Sequence, residues 1–162
     1  MSESGPATRM DWQVLDTYKT PMDVAWQFDY AIDIEKLRNL YTKAKQNQWD
    51  ADTKLDWSIE VDPSKPIVGE DRFMFHRVPF FQKLSQSQRD SFTAHATAQL
   101  LSQFLHGEQG ALYAACQVTQ SIQWYDGKLF GSTQVMDEGR HVEVFQRYLM
   151  EKLEKLYPIN DN

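Results

Sequence analysis

The sequence predicts an all-α chain whose second half is an antiparallel helical hairpin, and three observations carry that prediction. Leu101, Leu105, Glu108, Leu112 and Ala115 recur at spacings of four, three, four and three, the period of one helix face. Gln134, Glu138, His141, Phe145 and Leu149 mark out a second helical stripe. Between them lies Gln123-Trp124-Tyr125-Asp126-Gly127, whose Asp-Gly step signals a turn and whose Asp126 stands where it would cap the following helix. Composition agrees, because only 7 Gly and 6 Pro in 162 residues favour helices over a turn-rich β fold.

Taken in order, residues 1–21 are small and polar at their start and are expected to be disordered or irregular. From Met22 to Gln46, Ala25, Phe28, Ile32, Leu37 and Leu40 fall near helical spacing, so the stretch reads as a helix. Asp23, Asp29, Asp33 and Glu35 within it have no histidine beside them and read as a solvated face. Residues 48–71 have no sustained period and contain Trp49, Trp57, Pro63 and Pro66, which predicts an extended arm laying aromatics over the bundle. Asp50, Asp52 and Asp56 lack the central Gly and terminal Glu of a calcium loop. His76 sits among Phe73, Phe75, Phe80 and Phe81 and is expected in an aromatic cluster. The first part of the chain, 22–84, is therefore helix plus aromatic arm.

Ser85-Gln86-Ser87-Gln88 has capping-box form and opens a long helix, the start of a hairpin spanning 85–157. Within it, His95 and His106 are eleven residues apart, roughly 16 Å along a helix, too far to share one ion, and read as packing histidines. Gly107 and Gly110 flank Glu108 at a cost of about 1 kcal/mol each relative to Ala, so close packing or local unwinding should compensate. Beyond His141 the apolar pattern continues through Val144, Tyr148, Leu149, Leu153 and Leu156, and Tyr157-Pro158 ends it, leaving 158–162 as a tail.

The hairpin has a register. Glu108 lies 13 residues before Ser121, roughly 20 Å, and Glu138 lies 12 residues after Asp126, roughly 18 Å, so the two acids come level. His141 follows Glu138 by three residues and shares its face. Two carboxylates and an imidazole on the side expected to be packed need a partner, and a metal cation satisfies all three.

Asp137-Glu138-Gly139-Arg140-His141 resembles the Asp-Glu-x-Arg-His signature of the ferritin-like di-iron carboxylate proteins, especially hydroxylase subunits of bacterial multicomponent monooxygenases and, more loosely, ribonucleotide reductase small subunits. By that resemblance the fold is the first helix pair of a ferritin-like helical bundle. Glu108 would be a terminal metal ligand, Glu138 a bridging ligand and His141 the nitrogen ligand of a site holding two iron ions, with manganese or a mixed Mn/Fe pair as variants. Asp137 and Arg140 would hydrogen-bond a ligand histidine and an acidic partner on the other half of the site. The family uses a second Glu and a second Glu-x-x-His, and none follows His141 here. The chain is therefore expected to need a partner, such as a second copy of itself, or a missing C-terminal half.

The remaining features exclude some functions. A net charge of −6 with no basic patch argues against a nucleic-acid binder. No apolar run approaches the ~20 residues of a membrane span, the first 20 residues lack the basic-then-apolar layout of a signal peptide, and the expected location is cytoplasmic. The single cysteine, Cys116, excludes an internal disulfide and reads as a small buried hydrophobe. Three functions stay open: a di-iron oxidoreductase that activates dioxygen to oxidise a small-molecule substrate, a ferroxidase built from two half-bundles, and a helical interaction subunit without catalysis.

Overall fold

The computed structural model describes residues 19–159, so the expectations for residues 1–18 and for 160–162 of the tail lie outside the described residues. Among the described residues there are five α-helices: α1 Glu35–Gln46, α2 Ala51–Lys54, α3 Pro79–Gln82, α4 Gln86–Ser121 and α5 Tyr125–Arg147. Helices α4 and α5 pack along one another as the predicted hairpin, and α1 lies against α5. Among the described residues there is no strand.

Helix α4 begins where its sequence says. Ser85 accepts from the Gln88 amide while the Gln88 side chain accepts from the Ser85 amide, so two amides the helix cannot pair internally are satisfied. The hairpin core is Ala98 and Leu105 from α4 against Leu149 and Leu153, with Leu101, Val142, Phe145 and Tyr148 packed around them. A turn of π-helix, Tyr148–Lys152, extends α5 and carries Leu149 fully into this core. Beyond it Glu154 takes a left-handed backbone at φ 52°, which stops the helix before the Tyr157-Pro158 step expected to end it.

Close approach of α4 and α5 depends on one glycine. A Cβ on Gly131 would stand 2.5 Å from Oγ1 and 3.3 Å from Cβ of Thr119 on the facing helix. The turn itself falls earlier than the Asp-Gly step implies. Residues 122–124 make it, and Gly127 is already inside α5, where its missing side chain leaves room for Ile122.

Two further sequence expectations about the fold are corrected. The helix expected over 22–46 begins only at Glu35. Met22, Val24, Trp26, Phe28, Tyr30 and Ile32 also alternate with period two, and this run is not helical; its even-numbered apolar side chains are exposed. Its backbone is hung on the hairpin by the Ala25 amide, which donates to the Gln120 carbonyl at 3.1 Å. The second correction concerns Asp126, which does not cap its own helix. Buried at 1% exposure, it accepts from the amides of Asp33 and Ile34 at 2.9 and 3.0 Å and from Arg38 Nε at 2.6 Å. It thus caps α1 from a distance of about 90 residues in sequence, and α1 starts where that carboxylate holds it.

The 48–71 segment is mostly irregular, with α2 and a short 3₁₀ turn at Glu70–Arg72, and it lays tryptophans on α5 as expected. Arg140 lies over the Trp49 ring at 4.7 Å and Arg147 over Trp57 at 4.2 Å. Phe73, Phe75, Phe80, Phe81 and Phe92 form an aromatic cluster at centroid distances of 5.4 to 6.4 Å, and His76 sits beside it facing Glu70 at 3.9 Å.

Candidate metal centre

Helix register brings Glu108, Glu138 and His141 together. Nδ1 of His141 stands 3.1 Å from Oε2 of Glu108 and 3.0 Å from Oε2 of Glu138. One ligand atom from each of the three lies within 4.8 Å of the others, and a metal ion could be held by the group. The helices achieve this because Glu138 and His141 are one turn apart on α5, while the hairpin sets Glu108 of α4 opposite them.

The donor set suits a cation. A single ring nitrogen carries at most one proton, so it cannot donate fully to two carboxylates at once. Neither glutamate forms an ion pair with a Lys or Arg among the described residues. Two anionic oxygens and an imidazole nitrogen converge on one point, and carboxylate with imidazole is a donor combination suited to first-row divalent metals.

Exposure differs from the sequence expectation of a packed site. The His141 side chain is 47% exposed, against 26% and 20% for Glu108 and Glu138. The physical reason is that the two helices cover only one side of the group, and among the described residues no third element closes the other.

Asp137 and Arg140 do something specific in this chain. Arg140 is buried, pairs closely with Asp137, and donates to the Trp49 carbonyl at 3.0 Å and to Gln48 Oε1 at 2.9 Å. Their hydrogen bonds reach the arm and not the Glu-Glu-His group, so here they anchor residues 48–49 to the helix that carries Glu138 and His141. Gln48 and Trp49 were not recognisable as partners, since nothing in a local pattern links them to a residue some 90 positions away.

Two of the other histidines, His95 and His106, both contact Tyr157. The His95 ring is hydrogen-bonded to the Tyr157 hydroxyl, and His106 Nε2 donates to the Tyr157 carbonyl at 2.9 Å. With the Tyr157 amide donating to Ser102 Oγ at 3.0 Å, these contacts tie the end of the chain back across α4. Cys116 corrects the sequence reading: it is exposed, because it lies on a part of α4 that α5 does not cover. Glu143, two residues beyond His141, is also exposed and lies beside Arg140 and Trp49, away from the three converging side chains.

No described helix is long and apolar enough to cross a membrane. Residues 33–160 match the family model described as P-aminobenzoate N-oxygenase AurF. Comparison with curated proteins and with solved structures returned no match.

Proposed function

The chain belongs to the P-aminobenzoate N-oxygenase AurF family, a di-iron ferritin-like family, and from that premise we propose that it carries half of a di-iron oxygenase centre. Glu108, Glu138 and His141 are its metal ligands, and a second ligand set facing them completes it. The family description names an N-oxygenase of p-aminobenzoate, which makes a small aromatic amine the substrate class to test first. Two iron ions, when bound, would supply the reducing equivalents for dioxygen and the oxidising power delivered to the substrate.

The observation that carries this reading is the convergence of both carboxylates on His141 Nδ1 at 3.0 and 3.1 Å without a Lys or Arg counter-charge. Glu108 and Glu138 hold negative charge at one point, which favours a higher-valent cation. His141 directs Nδ1 toward the same point, where an unprotonated ring nitrogen is a metal donor. Arg140, held by Asp137 and resting on Trp49, keeps the helix segment between Glu138 and His141 fixed against the arm.

Anaerobic titration with ferrous iron, followed by air and near-ultraviolet absorption of the oxidised metal, tests the assignment. Wild type and Glu143→Ala should bind and oxidise iron alike, whereas Glu138→Ala and His141→Ala should not. Equal behaviour of Glu138→Ala and Glu143→Ala removes the assignment. Formation of an N-oxygenated product from p-aminobenzoate then separates the oxygenase reading from simple ferroxidase activity.

A further inference from the structure

On α4, beside Glu108, runs a second apolar stripe that the chain covers only in part: Phe104 meets the Phe145 ring edge-on at 6.3 Å and is still half exposed. Leu100, Phe104, Gly107, Ala111, Ala114 and Val118 follow one another at spacings of four, three, four, three and four, and all but Ala111 are exposed. That spacing is the seam by which one helix packs into another. Its middle is small: a Cβ on Gly107 or Gly110 would meet nothing within 4 Å. The cost of two helical glycines is therefore not repaid by packing inside this chain.

We infer that the stripe is the seat of a second copy of this chain, packed antiparallel about a two-fold axis, and that this pairing brings the second Glu108, Glu138 and His141 to the metal centre. The inference rests on the metal-site reading above and names its missing partner. The stripe is symmetric about position 109, since 100 and 118, 104 and 114, and 107 and 111 each have that midpoint. A two-fold at that point sets Leu100 against Val118, Phe104 against Ala114 and Gly107 against Ala111 of the other copy, large residues facing smaller ones. Glu108 then faces Gly110 of the other copy, where the absent side chain leaves space beside the carboxylate. Duplicating one Glu and one Glu-x-x-His gives the two glutamates and two Glu-x-x-His pairs that a dinuclear bundle site uses.

The surface is large enough. Val118 stands two residues before Gln120, whose carbonyl takes the Ala25 amide, so the exposed Val24 and Trp26, with Phe28 stacked on Trp26, lie next to the end of the stripe. With roughly 150–250 Å² per aromatic side chain, stripe and arm leave on the order of 800 Å² of apolar surface in water, what one partner gives to a standard interface. An isolated patch of that size exceeds what monomers usually expose.

Sedimentation of the full chain, with and without ferrous iron, tests this together with cross-linking. Wild type should be a dimer, and Gly107→Leu should be a monomer with unchanged helical signal that binds at most a tenth of the iron although its three ligands remain. In a Cys116→Ala background, a Phe104→Cys chain mixed with an Ala114→Cys chain should give a disulfide-linked dimer on oxidation, and neither chain alone should. A wild-type monomer that binds iron through Glu138 overturns the two-fold while leaving the metal site standing, and points to a different partner for the stripe. A dimer that survives Gly107→Leu and gives no 104–114 link also overturns it. A cross-linked dimer in which Glu138→Ala loses no iron supports the surface and sinks the metal reading instead.

Discussion

Replacing Gly131 with alanine should destabilise the hairpin, although alanine is the better helix former. In an exposed helix the change would gain about 1 kcal/mol. At 131 the added methyl would stand 2.5 Å from Thr119 Oγ1 and 3.4 Å from its Cα, a contact with a branched side chain and with backbone that cannot swing aside. Overpacking of this kind costs about 1–3 kcal/mol. Thr119 Oγ1 also donates to the Ala115 carbonyl at 2.7 Å, and displacing it forfeits about 0.5–1.5 kcal/mol more. The net expectation is a loss of about 1–3 kcal/mol. Gly139→Ala on the same helix, with nothing within 4 Å of its Cβ, is the control and should gain about 1 kcal/mol. At roughly 2–4 °C per kcal/mol for a chain of this size, the two variants should melt on opposite sides of wild type when followed by far-ultraviolet circular dichroism at one protein concentration. The effect should reach the metal centre as well. Thr119 is eleven residues beyond Glu108 and Gly131 ten before His141, so the same helix spacing governs both places. Melting of Gly131→Ala at or above Gly139→Ala would refute the close-approach argument.

Further outcomes follow from other parts of the fold. The Asp126 carboxyl is held below the usual carboxylate range, chiefly by the Ile34 amide and then by Arg38 and the Asp33 amide, with burial opposing. A depressed carboxylate contributes stability that is present above its unfolded value near 3.9 and lost as pH falls through its folded value. Wild type should therefore lose thermal stability below about pH 4, and Asp126→Asn should be less stable at pH 7 with a flatter acid limb in the same melts. Leu149→Ala, at a fully buried position, should cost about 2–5 kcal/mol in urea unfolding. Asp137→Asn should weaken iron binding by less than about 10-fold, whereas His141→Ala should abolish it, because the first only loosens the Arg140 anchor and the second removes a donor; equal losses by isothermal titration would contradict that division.

Much of the hairpin was legible without coordinates. The Ser85 capping box and the two helical stripes depend on neighbours within about a turn, and the residue counts from Glu108 and Glu138 to the turn add such turns up along each helix. Those spacings set the register that places His141 Nδ1 3.0 and 3.1 Å from the two carboxylates. The same local logic misread residues 22–34, where apolar residues fit periods of both two and 3.6.

What the sequence determined by itself was therefore the two long hairpin helices, their pairing and the chemical identity of the three converging side chains, because helix geometry converts spacing into position. Only the tertiary structure decided which way the buried Asp126 turned, that Arg140 holds Gln48 and Trp49, that Cys116 and His141 are exposed, and that the outer face of α4 is covered only in part. Each of these depends on which surface of a distant segment competes best for a group, and that competition is between residues too far apart along the chain for any local period to record.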